Sequence, residues 1–291
     1  MLKIENENLI VRFRLLGAEL ISAFDKRKQR EHLWQADKEV WDWHAPVLFP
    51  IVGRAFNDII KFEGKEYEIE KHGFARKSEF ELVAQTDESI TFCLRSNAET
   101  LVKYPFEFNF SITYSLDKNK LTTTYTIENL SNKNMPFCIG GHPAFSVPFN
   151  TGEQYEDYYF EFLDDEKLER YFINEEGFFN GEKKDILNGS KKLALEPELF
   201  KDDALIFKDI KSKTVYLKSI NHSDYLSFNF EDFKYLGLWA KTRAKYVCIE
   251  PWIGCADENN FAGEFIEKEA VITLSKGKTF SCNFTLGIHQ E

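Results

Sequence analysis

Apolar and polar residues alternate along much of this chain, and a period of two is typical of β-strands. The clearest run spans residues 106–128, where two alternating segments flank a turn at residues 117–120. Another run begins at Leu9 and ends at Leu15. Because successive side chains of a strand point to opposite faces, such runs form sheets that bury one face. Helical periodicity is scarce, so the sequence predicts an all-β fold.

The same signal predicts further elements. Residues 62–67 and residues 271–286 each read as a hairpin, and residues 90–94 read as a strand. One short helix is expected at residues 97–103, with Asn97 as its N-cap.

The chain shows no composition break that would divide it. Residues 164–202 are charged and weakly periodic, and we expect them to form a long excursion across one end of a sandwich. There is no internal repeat and no low-complexity linker. The sequence therefore predicts a single large antiparallel domain over residues 1–291.

Charge and cysteine content argue against several protein classes. The net charge of -11 leaves no basic footprint for nucleic acid and disfavours anionic membranes. The five cysteines are odd in number and none has CxxC spacing, so no disulfide framework is indicated. The first residues are too polar for a signal peptide, and no apolar run approaches the ~18 residues of a membrane span. We expect a cytoplasmic protein without nucleic-acid or membrane partners; its oligomeric state is open, with a homodimer as one alternative.

Two of the six histidines and one carboxylate are candidates for chemistry. His72 and His142 each lie beside glycine at the end of a strand-like segment, where loops carry function. Glu250 lies in an otherwise apolar run, and burial there would raise its pKa toward that of a useful base. The structural alternatives are packing roles for the histidines and an ion pair of Glu250 with Arg54 or Arg243.

Several common catalytic motifs are missing from the sequence. There is no GxGxxG, Walker loop, GxSxG or HExxH, which argues against nucleotide cofactors and serine-hydrolase chemistry. The spacing of histidines and carboxylates offers no compact set of metal ligands. The sequence therefore predicts no cofactor and no metal.

Seven segments in collinear order resemble the aldose 1-epimerase (galactose mutarotase-like) family over nearly the whole chain. A single motif such as HGF is weak, but seven in order are specific. The likeness is greatest to the bacterial branch named for a protein of lactose operons. The segments are FPIVGR (49–54), HGFAR (72–76), YPF (104–106), MPF (135–137), GHPAF (141–145), DALIF (203–207) and IEPW (249–252).

The resemblance implies a β-supersandwich with a cleft on a concave sheet, and a cofactor-free isomerase that interconverts the α and β anomers of an aldohexose. By position, His142 matches the family's general acid, Glu250 its general base and His72 its second active-site histidine, near the ring oxygen. Arg54 and Asp203 resemble the residues that hold sugar hydroxyls.

Two aromatic residues are also expected at the sugar site. Trp252 follows Glu250 by two residues, so on a strand both face the same side. Phe145 belongs to the same segment as His142. For each, core packing is the structural alternative.

The implied reaction explains why one acid and one base are needed. Anomers exchange through the open-chain aldehyde, so one group removes the C1 hydroxyl proton while another protonates the ring oxygen. A histidine with a pKa near 7 suits the acid, and a desolvated glutamate suits the base.

Three alternatives stay open. HGFAR also resembles the hexose-6-phosphate epimerase branch, in which an arginine near this point serves the phosphate, so Arg54 and Arg76 favour a phosphorylated sugar. The others are a non-catalytic sugar-binding protein and a lyase or hydrolase on a similar sandwich, which would need an extra helical domain. The GHPAF and IEPW segments depart from the motifs of well-studied galactose mutarotases and leave the identity of the sugar open.

Overall fold

The computed structural model describes residues 2–290 and is built mainly from antiparallel strands. The all-β prediction is confirmed. In chain order, the strands are β1 (Leu2–Glu5), β2 (Leu9–Phe13), β3 (Leu20–Asp25), β4 (Arg30–Glu31), β5 (Val47–Leu48), β6 (Ile59–Phe62), β7 (Lys65–Glu68), β8 (Glu81–Gln85), β9 (Ser89–Arg95), β10 (Phe108–Asp117), β11 (Lys120–Asn129), β12 (Met135–Phe137), β13 (Ile139–Gly141), β14 (Ala144–Ser146), β15 (Tyr158–Ile173), β16 (Phe179–Ala194), β17 (Leu205–Phe207), β18 (Thr214–Ser219), β19 (Tyr225–Asn229), β20 (Tyr235–Trp239), β21 (Tyr246–Ile253), β22 (Ile272–Leu274) and β23 (Thr279–His289).

These strands form one large sheet and three small ones. The large sheet has 15 strands, in the order β5-β13-β21-β20-β17-β15-β18-β19-β23-β11-β10-β9-β8, with β14 added on β21 and β16 on β15. A four-stranded sheet, β1-β2-β3-β4, and the pairs β12-β22 and β6-β7 complete the set. The catalytic candidates lie near the β13-β21-β20 part of the large sheet.

The predicted hairpin at residues 106–128 is confirmed. Strands β10 and β11 pair from Phe108↔Asn129 to Asp117↔Lys120, with the turn at the predicted place. Their side chains alternate strictly between buried and partly exposed. This alternation explains the register, because a slip of one residue would turn the buried phenylalanines toward solvent.

The helix α1 (Ala98–Lys103) is also as predicted. The side chain of Asn97 accepts hydrogen bonds from the backbone N–H groups of Glu99 and Thr100, which caps the first turn. Four 3₁₀ turns lie at Phe56–Asp58, Ala75–Lys77, Tyr155–Asp157 and Phe265–Glu267. Among residues 2–290, no helix combines the length and the apolar character that a bilayer crossing requires.

A contiguous apolar core extends from Ile4 to Ile288. Phe49 is fully buried in it, and the rings of Phe108, Phe110 and Phe137 lie with centroids 4.7–5.9 Å from its own. Such a continuous core is what one domain would have, and the single domain over residues 1–291 stays a prediction.

Residues 164–202, expected as an excursion across one end of the sandwich, form most of a long hairpin instead. Strands β15 and β16 have 16 residues each and pair with several register shifts. The sequence does not indicate this hairpin, because most of β16 is solvent-exposed on both faces. Each register shift also interrupts the alternation of buried and exposed side chains.

The predicted hairpin at residues 271–286 is wrong, although the chain does turn there. Strand β22 pairs with β12, whereas β23 pairs with β11 and β19 in the large sheet. The turn residues bond elsewhere, because the Gly277 N–H donates to the Asn129 carbonyl. Two alternating runs around a turn therefore separate into different sheets.

His32, which is not one of the two histidines predicted to be catalytic, is deeply buried in the structure. Its side chain packs edge-on against Phe149, with ring centroids 5.4 Å apart. Neither ring nitrogen has a hydrogen-bond partner among residues 2–290. Burial is the main cause that lowers the pKa of His32 to about 4, and the nearby Arg30 adds to it.

We predict that His32 makes the fold acid-sensitive. The unfolded chain binds a proton at this position below pH 6.5, while the folded protein binds it only below about pH 4. Stability from this group is therefore complete above pH 6.5 and is lost as the pH falls toward 4, by about 3 kcal/mol. Urea unfolding gives the free energy of unfolding of wild type and of His32→Leu at each pH. As the pH falls from 6.5 to 4, the free energy of the variant should rise relative to that of wild type by this amount. Phe106→Leu, which removes a buried ring packed on Phe62 and Tyr104 and not on His32, should differ from wild type equally at all pH values. The same flat difference for His32→Leu would contradict the prediction.

Candidate active site

A cavity of about 1060 Å³ brings together the three residues predicted to be catalytic. His72, His142 and Glu250 all line it, although they come from segments far apart in the chain. Asp203, Arg76 and Trp252 line it as well.

Glu250 lies in the middle of β21, which has strands on both sides. It pairs with Gly237 of β20, while β13 and β14 pair with other residues of β21. A Cβ atom at Gly237 would lie 2.8 Å from the ring of Trp252 and 3.3 Å from Cβ of Glu250. Glycine at that position therefore leaves room for both side chains. The carboxyl of Glu250 is held on a rigid central strand and is only 1% exposed.

The imidazole of His142 lies directly against the carboxyl of Glu250. Nε2 of His142 is 3.2 Å from Oε1 of Glu250. Nδ1 of His142 and Oε2 of Glu250 are buried and have no hydrogen-bond partner among residues 2–290. The carboxyl of Glu250 also lies beside the indole of Trp252, which favours its charged form.

Burial sets the protonation of this pair. It lowers the pKa of His142 far below its usual value, and it raises the pKa of Glu250 well above its usual value. The negative charge of Asp203 raises the pKa of Glu250 further, while Lys71 opposes the shift. The expectation of a histidine with a pKa near 7 is therefore wrong for His142. Together the two groups hold one proton over a wide pH range.

Two tryptophans that the sequence analysis did not assign to the site surround His142. The ring of Trp41 stacks on that of His142 at 5.1 Å, and Trp239 meets it edge-on at 5.7 Å. Both line the cavity. Three nearby tryptophans, at 41, 239 and 252, suit the C–H faces of a sugar ring. The only signal in the sequence was the aromatic content, which does not separate ligand-binding rings from core rings.

His72 is held as a neutral hydrogen-bond donor. Its Nδ1 accepts a hydrogen bond from the backbone N–H of Gly53 at 3.1 Å, which leaves the proton of the neutral ring on Nε2. Burial lowers the pKa of His72 well below its usual value, and Lys71 and His142 add to the shift. Its φ is +67°, and Gly73 follows at +70°, where a Cβ would lie 2.2 Å from the carbonyl oxygen of Phe49. This tight turn holds His72 5.9 Å from His142 between ring centroids.

Positive charge lies beside the histidines. Lys71 and Arg76 line the cavity, and neither forms a salt bridge within residues 2–290. Arg76 donates from Nη2 to the carbonyl of Lys71 and lies over the ring of Trp43, while its buried Nε has no partner. The pKa of Arg76 is lowered by burial. Two unpaired cations in a protein of net charge -11 favour a ligand rich in oxygen atoms or carrying negative charge.

Asp203 precedes β17 and reaches the cavity from the side of the long hairpin. Its φ is +73°, and its carbonyl accepts a hydrogen bond from Arg170. Within the described residues 2–290, the Asp203 carboxylate accepts a hydrogen bond only from the adjacent backbone N–H of Ala204. It therefore keeps acceptor positions free for the hydroxyl groups of a ligand.

Trp252 is both a core residue and a wall of the cavity. Its ring fits between Gly140 and Gly237, where added Cβ atoms would lie 2.9 and 2.8 Å away. It is 5% exposed, and its Nε1 has no hydrogen-bond partner among residues 2–290. The structure thus places Trp252 in the cavity wall, and its contact with a sugar stays a prediction.

We expect Trp252→Phe to weaken sugar binding by about 5-fold, because the smaller ring leaves part of the cavity wall unfilled and removes the indole N–H beside Glu250. Phenylalanine fills most of the space but lacks the indole N–H. Calorimetric titration with a sugar tests this, with Tyr104→Phe as a control because the hydroxyl of Tyr104 donates to the Pro136 carbonyl in the core, outside the cavity. Equal sugar affinity of Trp252→Phe and wild type would leave Trp252 as a packing residue only.

Two predicted sugar-binding residues do not line the cavity. Arg54 forms a two-pronged ion pair with Asp58 and donates from Nη1 to the carbonyl of Glu176, so it fixes the turn of the long hairpin. Phe145 is 1% exposed and packs against Phe228, with ring centroids 6.0 Å apart. Arg54 directly follows the cavity-lining Gly53, and Phe145 lies three residues after the cavity-lining His142, but the side chains of both make other contacts.

The ion pair considered for Glu250 is also not formed. Arg54 bonds to Asp58, and Arg243 bonds to Glu198 at the surface. The contact of Glu250 is with His142 instead.

Cys248 adds a third group beside the pair. Ligand atoms of His142, Cys248 and Glu250 lie within 4.8 Å of one another, so the conclusion from spacing that no compact set exists is wrong. Burial, together with the charge of Glu250, raises the pKa of the Cys248 thiol well above its usual value. A protonated thiol is a poor metal ligand, so we assign the chemistry to His142 and Glu250.

Known proteins are similar to this chain over most of its length. The family model described as aldose 1-epimerase matches residues 1–273. Protein LacX, plasmid, of Lactococcus lactis subsp. lactis is 36% identical over 290 residues, covering 95% of this chain and 96% of LacX. A galactose mutarotase related enzyme from Lactobacillus acidophilus is 36% identical, with a TM-score of 0.94 over 99% of this chain and 97% of that one. A galactose mutarotase-like protein from Lactobacillus casei is 32% identical, with a TM-score of 0.93 over 99% and 100% of the two chains.

Proposed function

Because the chain belongs to the aldose 1-epimerase family, we propose that it is an aldose 1-epimerase that interconverts the α and β anomers of an aldohexose. The observation that carries this proposal is the contact of His142 and Glu250 inside the cavity, at 3.2 Å. The two oxygens that exchange a proton, O1 and O5, are bonded to the same carbon of the sugar. Two groups in mutual contact can therefore reach both oxygens at once.

The chemistry follows from the one proton that the pair holds. Moving that proton from Glu250 to His142 gives a carboxylate base and an imidazolium acid without any proton from solvent. Glu250 then accepts the proton of the C1 hydroxyl while His142 donates to O5, and the C1–O5 bond breaks to give the aldehyde. Rotation about C1–C2 and the reverse transfers close the ring as the other anomer. An acid or base of this kind contributes roughly 10²–10⁴-fold.

Neighbouring residues assist the proton movement. Lys71 favours the carboxylate form of Glu250, because its charge lowers the pKa of that group. The Nε2–H of His72 is the donor that the hydrogen bond from Gly53 leaves available, and it would orient the ring oxygen. Trp41, Trp239 and Trp252 would hold the faces of the sugar ring.

Polarimetry on freshly dissolved α-glucose and α-galactose tests the proposal. We expect the enzyme to speed the approach to anomeric equilibrium for at least one of these sugars, or for its 6-phosphate. Binding of a sugar without any acceleration of mutarotation would instead indicate a non-catalytic sugar-binding protein.

A phosphorylated aldose is the second candidate substrate, favoured by the unpaired Lys71 and Arg76. If it is correct, kcat/KM for a hexose 6-phosphate should exceed that for the free hexose by about 10-fold or more, the size expected for one charge-assisted hydrogen bond. Arg76→Gln should remove the difference, whereas Lys77→Gln, an exposed neighbour that is paired with Glu70, should keep it. Equal values for the free and phosphorylated sugars would exclude a phosphate role for Arg76.

A further inference from the structure

A buried arginine lies behind the part of the cavity wall that contains Asp203. Arg170 belongs to β15, where its side chain shares a buried face with Leu168, and it is only 4% exposed. Of the residues that the structure describes, 201–204 line the cavity and Arg170 does not. An arginine is almost never buried to this extent without partners for its N–H donors, so its partners show what it holds in place.

The guanidinium of Arg170 binds three consecutive backbone carbonyls of this wall. Nε donates to the carbonyl of Ala204 at 3.2 Å, and Nη2 donates to the carbonyl of Asp203 at 3.0 Å and to that of Asp202. The carboxylate of Asp202 lies 3.8 Å from Nη1 and adds an ion pair. Because hydrogen bonds from a charged donor are about twice as strong as neutral ones, this fork fixes the path of the backbone through Asp203.

The backbone of Asp203 needs such support. Its φ of +73° lies in the left-handed region, which residues other than glycine adopt at a cost. The carbonyls of residues 202–204 bond to Arg170 behind the wall, while Asp203 itself is exposed and lines the cavity. The turn that Arg170 holds is therefore the one that presents the Asp203 carboxylate to a ligand.

The same guanidinium also contacts an aromatic ring of the cavity. The central carbon of the Arg170 guanidinium lies 4.2 Å from the ring centroid of Phe172. Phe172 follows two residues later on the same strand and lines the cavity. A planar guanidinium can bond at its edge and stack with its face, whereas a lysine ammonium is a point charge without a fork. Arginine at this position thus joins two parts of the cavity wall.

We propose that Arg170 is a positioning residue for sugar binding, which sets Asp203 so that its carboxylate accepts a hydrogen bond from a substrate hydroxyl. The inference rests on the proposed function, because the sugar that Asp203 holds is the one whose C1 reacts at Glu250. Arg170 touches neither the sugar nor the reacting atoms. It acts through Asp203, so its effect on sugar binding must disappear when Asp203 has no carboxylate.

A double-mutant cycle tests this dependence. Arg170→Lys keeps the positive charge but lacks the planar fork that spans three carbonyls. The probe is glucose, galactose or the 6-phosphate of either, whichever wild type binds most tightly by calorimetry. We expect Arg170→Lys and Asp203→Ala each to raise Kd about 10-fold, the size of one hydrogen bond to a charged group. In the Asp203→Ala background, Arg170→Lys should change Kd by less than about 2-fold.

Kinetics separate positioning from a purely structural role. Arg170→Lys should raise KM by about the same 10-fold factor and leave kcat within about 3-fold, because the acid and the base stay in place. Arg30→Lys is the matched control, since Arg30 is also largely buried and binds Asp224 and Asn150 outside the cavity. It should leave KM and kcat unchanged, even where it lowers the melting temperature as much as Arg170→Lys.

Arg170→Gln is a second, neutral variant that should show the same dependence on Asp203. Equal effects of these substitutions with and without the Asp203 carboxylate would contradict the proposal, and so would an unchanged Kd. If neither variant folds, Arg170 supports the fold and not the site, and the proposal is wrong.

The outcomes also separate this inference from the proposed function. If the cycle shows the dependence but no sugar mutarotates, Arg170 still positions Asp203 and the proposed epimerase activity fails. If sugars mutarotate but the two substitutions act additively on Kd, the epimerase activity stands and the positioning role of Arg170 is wrong.

Discussion

Glu250→Gln is expected to lose nearly all mutarotation, at least ~10²-fold in kcat, while the protein still folds and binds sugar. Glutamine keeps the shape of the side chain but cannot accept the C1 hydroxyl proton at neutral pH. Polarimetry, sugar titration and thermal melting on one purified sample measure the three properties.

The melting temperature of this variant should stay close to that of wild type. Burial raises the pKa of Glu250 well above its usual value, so the free protein holds this carboxyl mainly in the neutral form. An amide is nearly isosteric with that neutral acid. A large loss of stability would indicate instead that Glu250 is a buried charge balanced by a partner, because an uncompensated buried charge is costly.

Glu166→Gln is the matched control. Glu166 is equally buried, at 1% exposure, but lies outside the cavity and accepts a hydrogen bond from the Ser212 N–H at 2.6 Å. This substitution should lower the melting temperature and leave kcat unchanged. Near-normal activity in a well-folded Glu250→Gln protein would refute the role of Glu250 as the general base. The next candidate for the base would be Asp203, a cavity carboxylate whose charge acts on Glu250.

The fold was predictable where each strand buries one face. Strands β10 and β11 alternate over their whole length, and their turn lies where polar residues interrupt the pattern. Pairing was less predictable, because alternation shows that a residue is in a strand but not which strand lies beside it. Strands β22 and β23 illustrate this, since the turn between them joins two sheets.

The turn of the β15-β16 hairpin, which lines the cavity, shows why the outer part of the site was not predictable. Its residues lie on a ribbon with little apolar surface, so neither periodicity nor composition distinguishes them from a solvent-exposed excursion. Arg54 shows the converse. Its place in a family segment suggested contact with sugar, whereas in the structure its guanidinium holds the turn of the β15-β16 hairpin.

Residue types at the centre of the site were predictable, but their protonation was not. The glycines beside His72 and His142 and the apolar run around Glu250 indicated the three positions. The pKa values of His142 and Glu250 depend on their burial and on their mutual contact. Both arise only when segments more than a hundred residues apart in the chain come together. Only the folded protein shows that His142 and Glu250 hold one proton between them.

His142→Asn should lower kcat by at least ~10²-fold, because asparagine can donate a hydrogen bond to O5 but cannot transfer a proton to it. Polarimetry measures the loss, and thermal melting checks that the fold is kept. His222→Asn is the control, since His222 contacts Tyr158 and Glu153 outside the cavity and should leave kcat unchanged.

The pH profile of wild type distinguishes a shared proton from an independent histidine acid. If the acid were a histidine with an ordinary pKa, the enzyme would lose activity as the pH rises through about 6.5, because the imidazole would lose its proton. Burial moves the pKa of His142 down and that of Glu250 up, so the state with one proton on the pair is the stable one from below pH 6.5 to above it. The profile of kcat/KM should therefore be flat across pH 6.5, with losses only at the acid and alkaline ends. A clear inflection near pH 6.5 that disappears in His142→Asn would show that His142 titrates alone. The proposal that His142 and Glu250 share one proton would then be wrong, even if both residues are required for activity.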